Sequence, residues 1–387
     1  MQESVVFPEG FLWGSSVSAH QTEGNNSNTD WWVWEQKGGG KEPSGIACDS
    51  YNRYGNDIEL VERLNQNAFR VSVEWARIEP KEGYFDQKEV EHYKNVLREI
   101  KKKGIKTFVT LHHFTNPLWF MEKGGWENPK APKFFSRYAK YCSENFSDLT
   151  DFWITINEPT VYVGQSYFLG IWPPQKRNLF KAVYVCLNMV LAHNRSVPLL
   201  KGPAGIAHNI TRIDAATKSP LDRLIAKILN LFLADMTLFL CTRKQAFIGL
   251  NYYSQFKIKR CRLFFDYSLG KTETELPVAP EGLYKILVNL KKYKKPIYIT
   301  ENGCADAGDK IRQEYIRQHL INLHKAIKEG VDVRGYLHWS LIDNFEWHLG
   351  FKPRFGLVEI DRENNLQRRI RKSAEYYAKI CKSNKIE

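Results

Sequence analysis

The chain lacks any stretch long and apolar enough to span a bilayer. A spanning helix needs about 20 predominantly apolar residues, and the nearest approach, Leu221 to Leu240, is interrupted by Asp222, Arg223, Lys227 and Asp235. Apolar residues recur there at helical spacing, which predicts a core-facing helix and no membrane partner. Met1-Gln2-Glu3-Ser4 is neither basic nor apolar and runs into what reads as mature sequence, so no secretory leader is expected. The cysteines Cys48, Cys142, Cys186, Cys241, Cys261, Cys304 and Cys381 are odd in number and never spaced as CxxC. That argues against a disulfide framework or zinc site and predicts a reducing, cytoplasmic setting. No Gly/Ser-rich or Pro-rich linker and no low-complexity tract divides the chain. One domain over residues 1–387 is therefore expected, although the length exceeds the usual single core.

Acidic residues are outnumbered, 43 against 56 Lys and Arg, leaving a net charge of +13. Such an excess raises the question of nucleic-acid binding. The cations come in short, scattered groups such as Lys101–Lys103, Lys291–Lys295 and Arg368–Lys372. The first two read as solvated helix faces ahead of a strand and the third as a terminal helix, so no nucleic-acid partner is expected. Aromatic residues are plentiful, with eleven tryptophans. They suit a packed core and equally the apolar C–H faces of sugar rings.

Short β-branched or aromatic runs alternate with helical or irregular stretches. Strands are predicted at Leu12–Ser18, Phe69–Val73, Thr107–Leu111, Phe152–Ile156, Ala204–Ala207, Phe247–Tyr252, Ile297–Thr300 and Gly335–Trp339. Helical patterns at Asp57–Leu64, Lys88–Lys102, Pro132–Phe146, Phe180–Leu200 and Gln313–Glu329 lie between several of them. Eight strands with intervening helices point to the α/β class and a (β/α)8 TIM barrel, whose active groups sit at the C-terminal ends of the strands.

Two motifs stand at such ends: Thr155-Ile156-Asn157-Glu158-Pro159 and Ile299-Thr300-Glu301-Asn302-Gly303. Either glutamate alone could be a cap or a surface charge. Two, each closing an apolar run beside an asparagine, match the apparatus for cleaving a glycosidic bond: one carboxyl protonates the leaving oxygen, and the other attacks or activates water. The remaining strand ends carry Gln21 and Glu23, Arg70 and Glu74, His112-His113, His208-Asn209, Asn251-Tyr252-Tyr253, Trp339, and then Glu346-Trp347. Carboxylate, amide and imidazole groups match sugar hydroxyls, and an indole offers a stacking face. His112 and His113, adjacent on a strand, point opposite ways. Cys304 has no basic motif beside it to activate a thiolate.

The chain resembles glycoside hydrolase family 1, the β-glucosidase and β-galactosidase family. The likeness is carried by Phe7-Pro8-Glu9-Gly10-Phe11-Leu12-Trp13-Gly14, Gln21-Thr22-Glu23-Gly24, Phe69-Arg70-Val71-Ser72-Val73-Glu74-Trp75-Ala76-Arg77-Ile78 and Thr110-Leu111-His112-His113. It continues through both glutamate motifs, Gly249-Leu250-Asn251-Tyr252-Tyr253 and His338-Trp339-Ser340-Leu341-Ile342-Asp343-Asn344-Phe345-Glu346-Trp347. The resemblance implies Glu158 as general acid/base and Glu301 as nucleophile of a retaining exo-β-glycosidase, with the carboxyls about 5–5.5 Å apart. It implies that Arg70 and Tyr253 serve Glu301, that Asn157 and Asn251 support catalysis, and that Asn157 binds the sugar 2-OH. Gln21, His113, Glu346 and Trp347 would hold the outer hydroxyls over Trp339, with Glu23 and Glu74 in support. Small β-glycosides or oligosaccharides are the implied substrates, and no metal or cofactor is implied.

The sequence departs from the family pattern in several places. Only 143 positions separate Glu158 from Glu301, and the shortening is assigned to 208–247 and 253–296, which predicts a more open acceptor side. Phe114 replaces a common tryptophan, Thr115-Asn116-Pro117 the usual Asp-Leu-Pro, and His20 a common tyrosine. Glu346 would repel a phosphate, although Lys352 and Arg354 lie close downstream. Alternative readings are a transglycosylase using the same intermediate, a 6-phospho-β-glycosidase, and a non-catalytic sugar-binding barrel.

Overall fold

In the computed structural model, which describes residues 5–231, 236–242 and 244–387, eight parallel strands close into a barrel. They are β1 (Leu12–Ser16), β2 (Ala68–Ser72), β3 (Lys106–His112), β4 (Phe152–Asn157), β5 (Ala204–Asn209), β6 (Ile248–Asn251), β7 (Ile297–Asn302) and β8 (Val333–Trp339). Each pairs in parallel with the next, and β8 returns to β1. All eight runs predicted from sequence are barrel strands. The first stops two residues early, at Ser16, and several others run one or two residues further.

The outer layer includes α1 (Ser50–Arg63), α2 (Gln87–Lys102), α3 (Ala131–Phe146), α4 (Leu179–Ser196), α5 (Pro220–Asn230), α6 (Met236–Thr242), α7 (Pro280–Leu290), α8 (Arg312–Lys328) and α9 (Lys372–Ser383). Helix α2 shows the local logic. Asp86 caps it by accepting from the Lys88 N–H, Val90, Tyr93, Leu97 and Ile100 form its buried stripe, and Lys101 and Lys102 lie in its last turn, complementing the helix dipole. Helix α1 begins two turns before the predicted Asp57, because its first turns are too polar to show a stripe.

Two expectations fail. Leu221–Leu240 is not core-facing along its length: Leu221, Leu224 and Ile228 on α5 face solvent, and residues 232–235, between α5 and α6, fall outside the described residues. Only Ala226 and its neighbours pack inward, against Ile213 and Ile258, so one side of α5 exhausts the available core. Secondly, Arg368–Ile370 belongs to a strand, Gln367–Ile370, paired with Val358–Asp361. Arg368 makes a buried ion pair with Asp57 at 2.9 Å, and the terminal helix starts only at Lys372.

Side-chain alternation divides each strand between two cores. On β2, Phe69 and Val71 point outward to the helices while Ala68 and Arg70 point inward. The barrel floor is an apolar plug built around Phe108, Ile154, Phe247, Tyr298 and Leu337, with Phe108 and Phe152 stacked at 4.4 Å. Above it the interior turns polar, and there the site lies.

Candidate active site

Both glutamates sit where the regular alternation breaks. The β4–β5 register shifts between Ile154 and Asn157, and the β7 register shifts between Ile299 and Glu301. Such irregularities re-aim side chains: Thr155 reaches outward to His193 at 2.7 Å, while Asn157 turns into the barrel. Glu158 follows with φ of 44°, a left-handed conformation ahead of the Pro159–Val163 turn, and the pocket residues Phe114 and Trp347 share that region. Strain of this kind persists only where the surroundings enforce it. Gly303 packs so tightly under Trp339 that an added Cβ would lie 1.8 Å from its carbonyl oxygen. The Glu-Asn-Gly motif therefore needs its glycine.

One hydrogen-bonded network holds the pair. Arg70 donates to Glu301 Oε1 at 2.5 Å, to Asn157 Oδ1 at 2.6 Å and to the Thr300 carbonyl at 3.2 Å. Its Nε is fixed by Thr110 at 3.0 Å. Tyr253 donates to Glu301 Oε2 at 2.6 Å. It lies past the end of β6, so it reaches Glu301 from the loop and does not share a strand with Asn251. Asn251 donates to Glu158 Oε1 at 2.7 Å and to Asn157 Oδ1 at 3.1 Å, and the Thr300 hydroxyl fixes its carbonyl end. Asn209 adds a 3.0 Å bond to Glu158 Oε1. Asn209 stands at a strand end but belongs to none of the motifs that point to the site.

Burial shifts the acids. It pushes Glu158 up to about 8, assisted by the charge of Glu301 and opposed by bonds from Asn251 and Asn209. Burial also raises Glu301, but the Arg70 charge and the Tyr253 and Arg70 bonds pull it back. Of the two, Glu301 is the carboxyl with a guanidinium beside it, an interaction that favours the ionised form.

The carboxyls open onto a cavity of about 320 Å³ lined by His113, Asn157, Tyr253, Trp339, Glu346 and Trp347 among others. His113 lies against Trp339 and Trp347, with near-parallel rings and centroids 6.0 Å away from each. His112 points away, bonded to Asn116 at 3.1 Å. His20 stacks on Trp347 at 5.8 Å and pairs with Glu35 at 2.9 Å, so the residue standing in place of tyrosine steadies an indole. Gln21 is buried beside the segment that carries Glu346 and Trp347. Its amide donates to the Phe345 carbonyl at 2.8 Å and to Asn344 at 3.1 Å, which places it to orient the segment carrying Glu346. Glu74 accepts from Asn26 and Thr115, and Glu23 pairs with Arg77 at 3.0 Å, both outside the pocket wall.

Glu346 is the exposed end of this wall's chemistry. Its Oε2 is buried without a protein partner. Burial, then the charges of Glu301 and Glu158, raise it to about 8. A buried acceptor without a partner is costly unless a ligand hydroxyl satisfies it. Replacing Glu346 by leucine is expected to lower kcat/KM for an aryl β-glucoside by about 10–100-fold, the cost of one or two hydrogen bonds to a polar buried group. A loss below threefold would remove Glu346 from sugar binding.

The opposite rim is apolar. Val161, Phe256, Phe265 and Leu276 line it, while Trp172 packs against Trp347 with centroids 5.8 Å apart and bonds His348. Phe256 and Phe265 come from the hairpin Gln255–Lys259/Arg262–Phe264 and its exit. None of them belongs to a motif, and only the tertiary packing of the hairpin brings them to the pocket. The shortened 253–296 stretch thus still contributes side chains to the pocket lining. Lys352 is exposed, Arg354 pairs with Glu359 at 3.1 Å, and neither lines the pocket. Among the described residues no His/Cys/Asp/Glu group has metal-site geometry.

A parallel eightfold barrel with this carboxylate pair at its strand ends defines a glycoside hydrolase. The sequence model described as Glycosyl hydrolase family 1 matches residues 3–232 and 228–386, and the chain belongs to that family as an enzyme of the β-glucosidase type. Beta-glucosidase A of Thermotoga maritima is 32% identical over 443 aligned residues, spanning 98% of this chain and 99% of that protein. The alignment is longer than the chain, so the relative carries insertions that this chain lacks. A beta-glycosidase from Pyrococcus horikoshii superposes with a TM-score of 0.94 at 39% identity, covering 99% of this chain and 96% of that one. The family 1 β-glucosidase of Thermotoga maritima in complex with isofagomine lactam superposes with a TM-score of 0.94 at 31% identity, covering 99% and 100%.

Proposed function

We propose that the protein is a retaining exo-β-glycosidase, β-glucosidase-like, that releases terminal non-reducing β-D-glycosyl residues by double displacement. The observation carrying this reading is the asymmetric pair: Glu301 clamped by Arg70 and Tyr253, and Glu158 held by neutral amides alone. An ionised carboxylate beside a protonated one is the charge state that covalent attack with acid assistance requires.

Glu301 attacks the anomeric carbon as Glu158 gives its proton to the leaving oxygen, and Asn157 lies where it can bond the 2-OH. Once Glu301 is an ester its charge is gone, and one of the causes raising Glu158 goes with it. Glu158 is then a better base for the water that releases the sugar. Relatives bound to sugar-like inhibitors support small glycosides as substrates. Seven free thiols, most of them buried, support a reducing compartment, and one closed barrel built from strands along the whole chain supports one catalytic domain.

The test follows the anomeric proton by NMR during hydrolysis of an aryl β-glucoside. β-Glucose is expected first, with α-glucose growing in only by mutarotation. Initial α-glucose would overturn double displacement. Absence of free sugar in the presence of an alcohol, with full consumption of glycoside, would assign the intermediate to transfer instead.

A further inference from the structure

Among the described residues, 23 large apolar side chains are exposed, and 20 of them lie between Phe168 and Leu269. The same region holds nearly all the excess charge. Residues 176–271 contain sixteen Lys and Arg against four Asp and no Glu, an excess of twelve where the whole chain has thirteen. Everywhere else the surface is balanced and polar. Apolar exposure and positive charge coincide on one quarter of the chain.

The exposed residues form stripes. On α4, Phe180, Tyr184, Leu187 and Leu191 follow helical spacing on the outer face, with Phe180 at 87% exposure. On α5, Leu221, Leu224, Ile228 and Leu231 do the same. These stripes belong to connected elements. The Asn194 amide at the end of α4 bonds the Leu240 carbonyl of α6, and Asp222 of α5 accepts from the Cys261 N–H at the hairpin turn. The hairpin in turn exposes Leu263 and Phe264 while its Phe256 and Phe265 line the pocket.

Exposed cations flank this face: Arg195, Lys218, Arg223, Lys227, Lys259, Arg260 and Arg262 have no ion-pair partner among the described residues. The neighbouring acids are already engaged. Asp214 pairs with Arg212 and Lys285, Asp266 with Lys257, and Asp222 with backbone N–H groups and Thr217. Exposed apolar side chains concentrated in this way on neighbouring elements mark an interaction surface. A second copy would set like charges against each other, whereas an anionic lipid surface complements them. Leu and Phe on one face with Lys and Arg at its margin is the pattern of helices that lie in a bilayer interface. Among the described residues no helix is long and apolar enough to cross a membrane, so the contact is peripheral.

We propose that the face formed by α4, α5, α6 and the Gln255–Phe264 hairpin docks onto an anionic phospholipid bilayer. The segment between Glu158 and α4 supplies Gln165 and Trp172 to the pocket and exposes Phe168, Leu169 and Ile171. Docking therefore sets the apolar acceptor rim beside lipid. This replaces the expectation of no membrane partner, which rested only on the lack of a spanning segment.

The full-length protein is floated with vesicles of phosphatidylglycerol and phosphatidylcholine, and with phosphatidylcholine alone, at low and high sodium chloride. Binding to the anionic vesicles is expected, at least about tenfold above the neutral ones and weakened by salt. A Phe180→Ser/Leu187→Ser/Leu191→Ser variant should lower the partition by about tenfold or more, while turnover of a water-soluble aryl glucoside stays unchanged. The Arg223→Gln/Lys227→Gln variant removes exposed charge without touching apolar packing, so it reports on docking even if the triple variant misfolds. It should lower anionic binding severalfold. Equal or absent binding to both vesicle types, or sedimentation of the protein as a dimer that the serine variant splits, would overturn the proposal.

Discussion

Glu301→Gln is expected to lower kcat on an aryl β-glucoside by roughly 10⁴-fold or more, because an amide cannot form the covalent intermediate on which both half-reactions depend. The variant also leaves the fully buried Arg70 without its counter-charge. Removing one partner of a buried pair costs about 3–5 kcal/mol, so the thermal midpoint should fall as well. Activity and stability must therefore be read separately, by single-turnover kinetics on folded protein and by thermal unfolding. A small anion such as azide, supplied to Glu301→Ala, can occupy the vacated space and attack the anomeric carbon directly. The product would be the α-glycosyl azide, inverted relative to substrate. If Glu301→Gln retained activity within about tenfold of the parent, the nucleophile would have to be another group.

Glu158→Gln gives the second large effect, and it depends on the leaving group. For an alkyl β-glucoside, whose departing alkoxide needs a proton, kcat/KM should fall by about 10²–10⁴-fold. For a dinitrophenyl glucoside the first step should barely change, leaving slow deglycosylation to limit turnover. Glu158 titrates near 8 in the free enzyme, so the parent's kcat/KM should decline above that pH as the acid loses its proton. That basic limb should vanish in the variant. Stability carries the same sign. Because the folded value lies above the ordinary 4.5, the protonated form is the one folding favours. Its contribution is fully present below 4.5 and is lost as pH rises through about 8. Glu158→Gln, permanently neutral, should therefore melt higher than the parent at pH 9 and near it at pH 5. A lower melting temperature than the parent at pH 9 would show that burial does not dominate this carboxyl.

Much of the barrel was legible because its signals are local. Each strand is a short β-branched or aromatic run, and even the misjudged ends at Ser18 and Asp57 moved only a boundary. The α5–α6 region was misread for a physical reason. Periodicity reports that a helix has an apolar stripe, but not whether anything covers that stripe. In Leu221–Leu240 the pattern implied burial, whereas the stripe at Leu221, Leu224 and Ile228 is exposed. The apolar rim was illegible for a different reason: Phe256 and Phe265 sit in or just after a hairpin with no motif, so their place at the pocket depends on how that hairpin folds over the barrel mouth.

By itself the sequence determined which chemical groups stand at the barrel's C-terminal end, among them the glutamates of the two short motifs, an arginine, asparagines, a tyrosine and the tryptophans, most of them tied to a strand end by the run before it. The tertiary structure alone decided which way they face and what surrounds them. Strict alternation from Ile154 would not have aimed Asn157 inward, and the register shifts in β4 and β7 did so. The same closure placed Arg70 on Glu301 but only amides on Glu158. Two identical residues thereby came to stand in different electrostatic surroundings, and a carboxyl's ionisation is set by the charges and solvent around it and not by its own chemistry.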